Sequence, residues 1–475
     1  MVMGELVQET DLLVIGAGPG GYAAAFRAAD LGMDVTLVET SDRPGGVCLF
    51  RGCIPSKTYL HLAELLHDAR QAREMGIDFG DPSIDLEGLR KWKQQVIDQL
   101  ARGLVSLTER RGIQYLQGRA VFESSERVRV KGKDTVGIRF RHAIVAAGSR
   151  PTPLPGAPFG KGGRIMSSTG ALNIKDIPES MLVIGGGYVG LELGMVYAAL
   201  GTRITLVEMT DRILPGVDGD LVAPLGKRLE DTFEAMHFST AVEALEEDGD
   251  GVLARFKGDA GEGEKRYDRA LVAIGRHPNT GDLGLENTNV ELDDKGFIRV
   301  DEQQRTSDKK ILAIGDIVGG VMLAHKAMFE GKIAAEVIAG RPAAFDIRAI
   351  PAVVYTDPQI AYAGLTEEDA RRQKRSVKVE KFPWKFSGRA TTMGAPAGIT
   401  KLIVDADTQR ILGVGICGRN AESLVSEGVL AIEMGALAED LALTIHPHPT
   451  LSETEGEAAE IFLGAATHIL PKASR

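Results

Sequence analysis

Two cysteines, Cys48 and Cys53, stand in the run Gly45-Gly-Val-Cys-Leu-Phe-Arg-Gly-Cys-Ile-Pro-Ser-Lys57; the chain holds one more, Cys417. Thiols this close in sequence can be oxidised to a small ring. A protein of a reducing compartment does not keep a structural disulfide, so a close pair there reads as redox-active or metal-binding. A metal needs further ligands, and neither a second cysteine pair nor clustered histidines accompany these two. We therefore expect a redox disulfide and no metal; two unrelated buried thiols are the plain alternative. A second reactive group lies in His446-Pro-His448-Pro-Thr-Leu-Ser-Glu453. Proline on both sides of His448 restricts its backbone. Glu453, where a helix should open, could orient one ring nitrogen and leave the other to a thiol. That is the arrangement of a general base held by a carboxylate, although a His-Pro pair on its own is more often a turn than a base.

The elements that must position these groups are legible as an internal repeat. Asp11-Leu-Leu-Val-Ile is an apolar strand running into Gly16-x-Gly18-x-x-Gly21, then a helical run to Gly32 and a second strand ending at Glu39. The same design recurs 169 residues on, with Gly185, Gly187, Gly190 and Glu208. This is the strand–turn–helix–strand setting of a dinucleotide site. The first glycine makes the turn, the second admits the pyrophosphate, and the third lets helix pack on strand with the phosphates at the helix N-terminus. Glu39 and Glu208 would each accept a hydrogen bond from a ribose hydroxyl. Two such sites imply FAD and a nicotinamide cofactor, with the flavin at the first copy because the cysteines follow it. Glu208 would repel a 2′-phosphate, which favours NAD over NADP. Further strands end in Gly148, Gly275 and Asp316.

Length and composition bound the rest. At 475 residues, two to four domains are expected. A net charge of −11 without a basic block argues against a nucleic-acid partner. No apolar run approaches the ~20 residues of a membrane span, and the first residues lack the layout of a signal or transit peptide, so a cytoplasmic location is expected. The fold class expected is α/β, with two Rossmann-like dinucleotide-binding domains and a C-terminal α+β dimerisation domain. We divide the chain as 1–150 (FAD), 151–282 (NAD), 283–350 (a return segment completing the FAD domain) and 351–475 (dimerisation).

The cysteine run resembles the redox motif of the flavin-dependent disulfide reductases. His-x-His-Pro-Thr-Leu-Ser-Glu is similar to the C-terminal signature of the dihydrolipoamide dehydrogenase family among them, and the resemblance extends over essentially the whole chain. It implies oxidation of protein-bound dihydrolipoamide, with electrons passing through a Cys48–Cys53 disulfide and FAD to NAD⁺. It implies that Cys48, as the more exposed sulfur, exchanges with substrate, and that Cys53 is the thiolate against the flavin. His448 would be the base and Glu453 its partner, reaching the disulfide of the other subunit of a homodimer. Lys57 and Glu192 would form an ion pair by the flavin. Gly46, Ala120, Gly148 and Asp316, with Met322, Leu323, Ala324 and His325 at the start of an Ala-rich helix, would join the flavin site; Val242 and Gly275 would join the NAD site. The implied partners are the lipoyl domain and E2 core of a 2-oxo acid dehydrogenase complex.

Two positions depart from the family pattern. Phe50-Arg51 replaces the usual pair between the cysteines, and Pro447 the usual alanine between the histidines. Other flavin disulfide reductases are the alternatives. Glutathione reductases would want basic residues in place of Glu208, mercuric reductases a C-terminal cysteine pair, and soluble transhydrogenases would lack Cys48 and Cys53. Outside the enzymes, the chain could serve mainly as a docking component of a multienzyme complex.

Overall fold

The structure, a computed structural model, describes residues 7–160, 163–259 and 261–470. Strand Val7–Ile15 lies at the centre of the first sheet, paired in parallel with Val35–Glu39 and with Thr135–Val145. Leu12, Leu13 and Val14 are fully buried, as expected of a parallel strand covered on both faces. Val35–Glu39 pairs in turn with Gln114–Ser124, which continues through Arg127–Gly132 into Thr135–Val145 as an antiparallel meander. Far along the chain, Ile311–Ala313 returns to pair in parallel with Thr135–Val145.

The first glycine turn feeds helix Pro19–Asp30, which opens with Pro19 in its first turn, where a missing N–H costs nothing. Its alanines pack on helix Ala324–Ile338 so closely that a Cβ on Gly331 would stand 2.5 Å from Gly20 O. This contact fixes the Ala-rich helix beside the first glycine loop. After Glu39 come the short helix Gly46–Arg51 and the long helix Cys53–Gln71. Pro55 sits in the first turn of the latter, where it is tolerated, and Cys53 is its first residue.

The second copy repeats the plan. Strands Ala235–His237, Arg203–Val207, Ser180–Ile184, Arg269–Val272 and Ile165–Met166 form a parallel sheet in that order. A three-stranded antiparallel sheet over Thr240–Tyr267 stands beside it. The remaining unit is a five-stranded antiparallel sheet over Ala352–Gly418, carrying helices Ala421–Met434, Ala438–Ala442 and Glu453–Leu463.

A buried cation joins this last unit to the second copy. Lys401 is 1% exposed, and its Nζ lies 2.6 Å from Asp218, 2.7 Å from Asp220 and 3.1 Å from Glu367. The three acids are close enough together to hold a metal ion, but Lys401 and Lys381 supply the compensating charge.

Candidate active site: a dithiol cleft and a separate acid–base pair

A cleft of about 730 Å³ runs from the first glycine loop to the cysteines. Gly16, Gly18, Glu39, Gly46, Ala120, Gly148, Asp316, Met322 and Ala324 line it, with Cys48, Cys53, Lys57 and Glu192. Gly21 lies beneath the turn: a Cβ there would stand 1.8 Å from Gly16 O. Gly16 has φ +101° and its Cβ would stand 2.3 Å from Ala146 O, so both positions require glycine. Gly18 differs. Its φ is an ordinary −70°, and a Cβ would meet nothing nearer than Gly46 Cα at 4.0 Å. The space left open there belongs to the cleft, so the residues fit a bound FAD pyrophosphate at this turn.

Two of the expected flavin residues, Leu323 and His325, do not line the cleft. His325 Nε2 lies 2.8 Å from Pro351 O, because the first turn of its helix carries that side chain outward to the start of the C-terminal unit.

The expected disulfide is not closed; Cys48 and Cys53 are both free thiols. Cys53 is the more exposed of the two, which corrects the expectation for Cys48. The reason is positional: Cys53 opens its helix on the cleft wall, while Cys48 lies within the preceding short helix. The Cys48 thiol donates to the Cys53 sulfur. That bond first, with the Lys57 ammonium behind it and burial opposing, holds Cys53 down at about 7. The same bond, then burial, pushes Cys48 up. The pair is therefore asymmetric, with the negative charge on Cys53, at a helix N-terminus that favours a thiolate.

Lys57 reaches Glu192 Oε2 at 2.7 Å. Glu192 is 3% exposed, and its other oxygen accepts from Tyr355 N at 3.0 Å. The Lys57 ammonium also lies 4.3 Å from the Tyr355 ring centroid, a cation–π contact. The pair is thus locked by a residue of the C-terminal unit. On the opposite wall, Ser149 donates to Asp316, and Arg276 Nε donates to Ser149 Oγ at 2.7 Å.

The second glycine loop repeats the first in detail. A Cβ on Gly185 or Gly190 would stand 2.5 Å from Ala273 O or 2.1 Å from Gly185 O. Around Gly187, at φ −78°, there is nothing within 4 Å. Glu39 Oε2 accepts from Ala17 N at 2.9 Å and its Oε1 from Thr40 N at 2.7 Å. Glu208 Oε2 accepts from Gly186 N at 2.6 Å and its Oε1 from Thr210 N at 2.8 Å. Each acid therefore ties its own glycine loop to the end of the next strand, beyond the ribose contact expected of it. Arg212 is engaged with Glu368 at 3.3 Å. These residues fit NAD. Gly275 has φ +129° at the strand end beside this loop, whereas Val242 is buried in the core between the two sheets of this unit.

His448 stands apart from the cleft, exposed on its loop. Its Nδ1 lies 2.7 Å from Glu453 Oε1, and Glu453 Oε2 accepts from Thr450 N at 2.7 Å. Against the upward push of burial, the Thr450 N–H and then His448 hold the Glu453 carboxyl below its usual range. Nε2 is left free to work. No residue beyond Ala327 lines the dithiol cleft among the described residues, so the acid–base pair and the thiols of one chain do not meet.

Sequence reasoning missed Tyr188, the first residue of the second copy's helix, which reaches across to line the dithiol cleft. It also missed Arg276 and the role of Tyr355. Each acts through a contact between units that are remote in sequence, and the motifs around them carry no mark of it.

The comparisons agree with this geometry. Residues 10–331 match the pyridine nucleotide-disulphide oxidoreductase family, and residues 350–459 match its dimerisation domain. Dihydrolipoyl dehydrogenase from Haemophilus influenzae is 46% identical over 97% of this chain and 96% of its own. The enzyme of that name from Halobacterium salinarum is 45% identical over 99% of this chain and 100% of its own. Among solved structures, LpdA from Mycobacterium tuberculosis superposes with a TM-score of 0.87 at 26% identity, covering 95% of this chain and 99% of its own. RclA from Escherichia coli, an HOCl-induced flavoprotein disulfide reductase, superposes with a TM-score of 0.85 at 25% identity over the same shares. With its paired glycine loops, its dithiol cleft and its dimerisation unit, the chain belongs to the pyridine nucleotide-disulphide oxidoreductase family, among the dihydrolipoyl dehydrogenases.

Proposed function

We propose that the chain is a dihydrolipoyl dehydrogenase, oxidising protein-bound dihydrolipoyl groups with NAD⁺ as the electron acceptor. The observation that carries this reading is the asymmetric pair Cys48–Cys53 on the wall of a cleft that fits FAD, with Cys53 held at about 7. FAD, when bound, takes two electrons from the thiol pair and passes them on as hydride to NAD⁺.

The protein's own groups do the rest. In the oxidised enzyme Cys48 and Cys53 share a disulfide. His448 accepts the proton of one substrate thiol at Nε2, and Glu453 holds the ring in the orientation this requires. The substrate thiolate attacks Cys48; the Cys48–Cys53 bond breaks, and Cys53 leaves as thiolate, the better leaving group of the two. His448 releases that proton to solvent; the second substrate thiol then gives its proton to the base and attacks the substrate sulfur bonded to Cys48, whose sulfur takes the proton back from His448 as it leaves. The lipoyl disulfide forms. Lys57, fixed by Glu192 and Tyr355, keeps positive charge beside Cys53 while it is ionised.

The acid–base pair lies away from the thiols of its own chain and within the C-terminal unit that matches the dimerisation domain. We therefore assign the base to the opposite subunit of a homodimer. The lipoyl domain of a 2-oxo acid dehydrogenase complex is the partner we assign to the site, with the E2 core as its dock.

The test is steady-state turnover of purified flavoprotein with lipoamide, glutathione disulfide and Hg²⁺, each against NADH and NADPH. Turnover confined to lipoamide with NADH is the expected result. Preference for glutathione disulfide or Hg²⁺ would overturn the substrate assignment.

A further inference from the structure

Of the four acids on helix Glu453–Leu463, Glu453 and Glu455 lie two positions apart with opposite surroundings, while Glu457 pairs with His468. Glu453 turns outward to His448. Glu455 turns into the C-terminal unit, where it is 0% exposed and neither carboxyl oxygen has a hydrogen-bond partner. It is enclosed by its own chain, so no second subunit reaches it. An ionised carboxylate there would lose its hydration with no pairing in exchange, so the neutral acid is the stable form. Burial first, then the charge of Glu427, push this carboxyl up to about 8; the Gly428 N–H pulls weakly the other way without making a hydrogen bond.

Glu427, on the neighbouring helix Ala421–Met434, accepts from His446 Nε2 at 3.0 Å. His446 also packs on the start of helix Glu453–Leu463: a Cβ on Gly456 would stand 2.9 Å from its Nδ1. The ring is therefore clamped between the two helices, two residues before His448. Charged groups on the other elements packed against the helix are engaged elsewhere. Lys378 lies over Phe462, at the far end. Lys381 and Lys401 hold Asp220 and Glu367, Asp405 pairs with Arg375, Asp440 accepts from Leu437 N, and Glu380 has interactions of its own. Glu439 is exposed.

We propose that Glu455, as an uncharged acid, is a positioning residue for the catalytic base: it allows Glu427 to keep its charge and its hold on His446, and so fixes the loop over residues 444–450 that carries His448. The inference rests on the reading of His448 as the base. Ionisation of Glu455 would set two carboxylates against each other in an enclosed space. The Glu427–His446 contact then gives way and the loop loosens.

The test uses the intact flavin-loaded homodimer carrying Glu455→Gln or Glu455→Ala. Lipoyl turnover and NADH reduction of an artificial acceptor are each followed against pH. Gln mimics the neutral acid, so E455Q is expected to match the wild type at neutral pH. Its turnover relative to the wild type should then rise roughly tenfold per pH unit above about 8, the slope of a single ionisation. E455A, which also cannot ionise, should likewise lack the alkaline fall in lipoyl turnover, and both variants should keep acceptor reduction. A ratio of E455Q to wild type that stays flat with pH, or an E455Q enzyme that binds flavin yet loses lipoyl turnover at neutral pH, would overturn the proposal.

If E455Q does not assemble, amide exchange of residues 444–450 in the wild type decides. Opening above about pH 8, beyond the intrinsic pH trend, supports the proposal; exchange that follows the intrinsic trend alone overturns it. His448→Gln runs alongside. Full lipoyl turnover in that variant would sink the base assignment itself, while its loss together with a flat E455Q ratio would sink only the positioning role.

Discussion

At the scale of single residues, the site works through asymmetry. Two thiols in one hydrogen bond differ in charge because Cys53 receives that bond and lies near Lys57, whereas Cys48 donates it. Cys53 lies below the ordinary thiol range, so its thiolate forms as pH rises through about 7. In the reduced enzyme, the pH dependence of alkylation, located by peptide mapping, should therefore rise through about pH 7 at Cys53 and only at higher pH at Cys48. In the flavin-loaded protein, Cys48→Ser should keep a long-wavelength charge-transfer band and Cys53→Ser should lose it; equal bands would reverse the assignment. Glu208 belongs to the same scale. It ties down Gly186 and Thr210, and on our reading its charge excludes a 2′-phosphate, so Glu208→Arg should narrow the preference for NADH over NADPH and also lower the melting temperature. An NADPH preference in the wild type would contradict the reading of the second loop.

At the scale of elements, the glycine loops separate folding from binding. Gly21 and Gly190 sit where a Cβ would collide with backbone at 1.8 and 2.1 Å, while Gly187 sits in ordinary backbone with open space in front of it. Gly190→Ala should destabilise the second unit and impair NAD binding together. Gly187→Ala should leave melting temperature and flavin content unchanged while raising the KM for NAD⁺ by tenfold or more, a loss of about 1.4 kcal/mol or more in binding. A Gly187→Ala protein with normal KM would mean that nothing sits against that turn.

The loops themselves were legible because the glycines, the strand before them and the acid after them recur at one fixed offset. The cysteine pair and the His448–Glu453 pair were legible because each lies within a few residues of sequence. Tyr188, Tyr355 and Arg276 were not, since Tyr188 and Arg276 enter the cleft, and Tyr355 reaches the Lys57–Glu192 pair, from elements that the sequence does not place there. The greater exposure of Cys53 was misread for a related reason: it depends on which thiol opens the helix onto the cleft wall, and spacing alone does not say. His325 is turned away by the phase of its helix, and the burial of Glu455 is invisible in an unremarkable acidic stretch.

At the scale of the whole molecule, the units are held in register by a few buried polar joints. Lys401 ties the C-terminal sheet to Asp218 and Asp220 of the second copy. Lys401→Met would leave Asp218 without its cation and Asp220 with Lys381 alone, and a loss of about 3–5 kcal/mol in stability is expected, measured by denaturant unfolding; an unchanged midpoint would show the joint to be idle. Such joints fix Tyr355 against Lys57, and they hold the acid–base pair away from the thiols of its own chain.

The central claim is that a working site needs the thiols of one subunit and the His448–Glu453 pair of another. It is tested most directly by lipoyl turnover in a purified heterodimer of one Cys48→Ser chain and one His448→Gln chain, each inactive as its own homodimer. A general base contributes about 10²–10⁴-fold, so a site lacking it is silent beside an intact one. Sites built across subunits leave one of the two complete, and about half of wild-type turnover is predicted. Turnover no higher than that of the two parent homodimers would contradict the account.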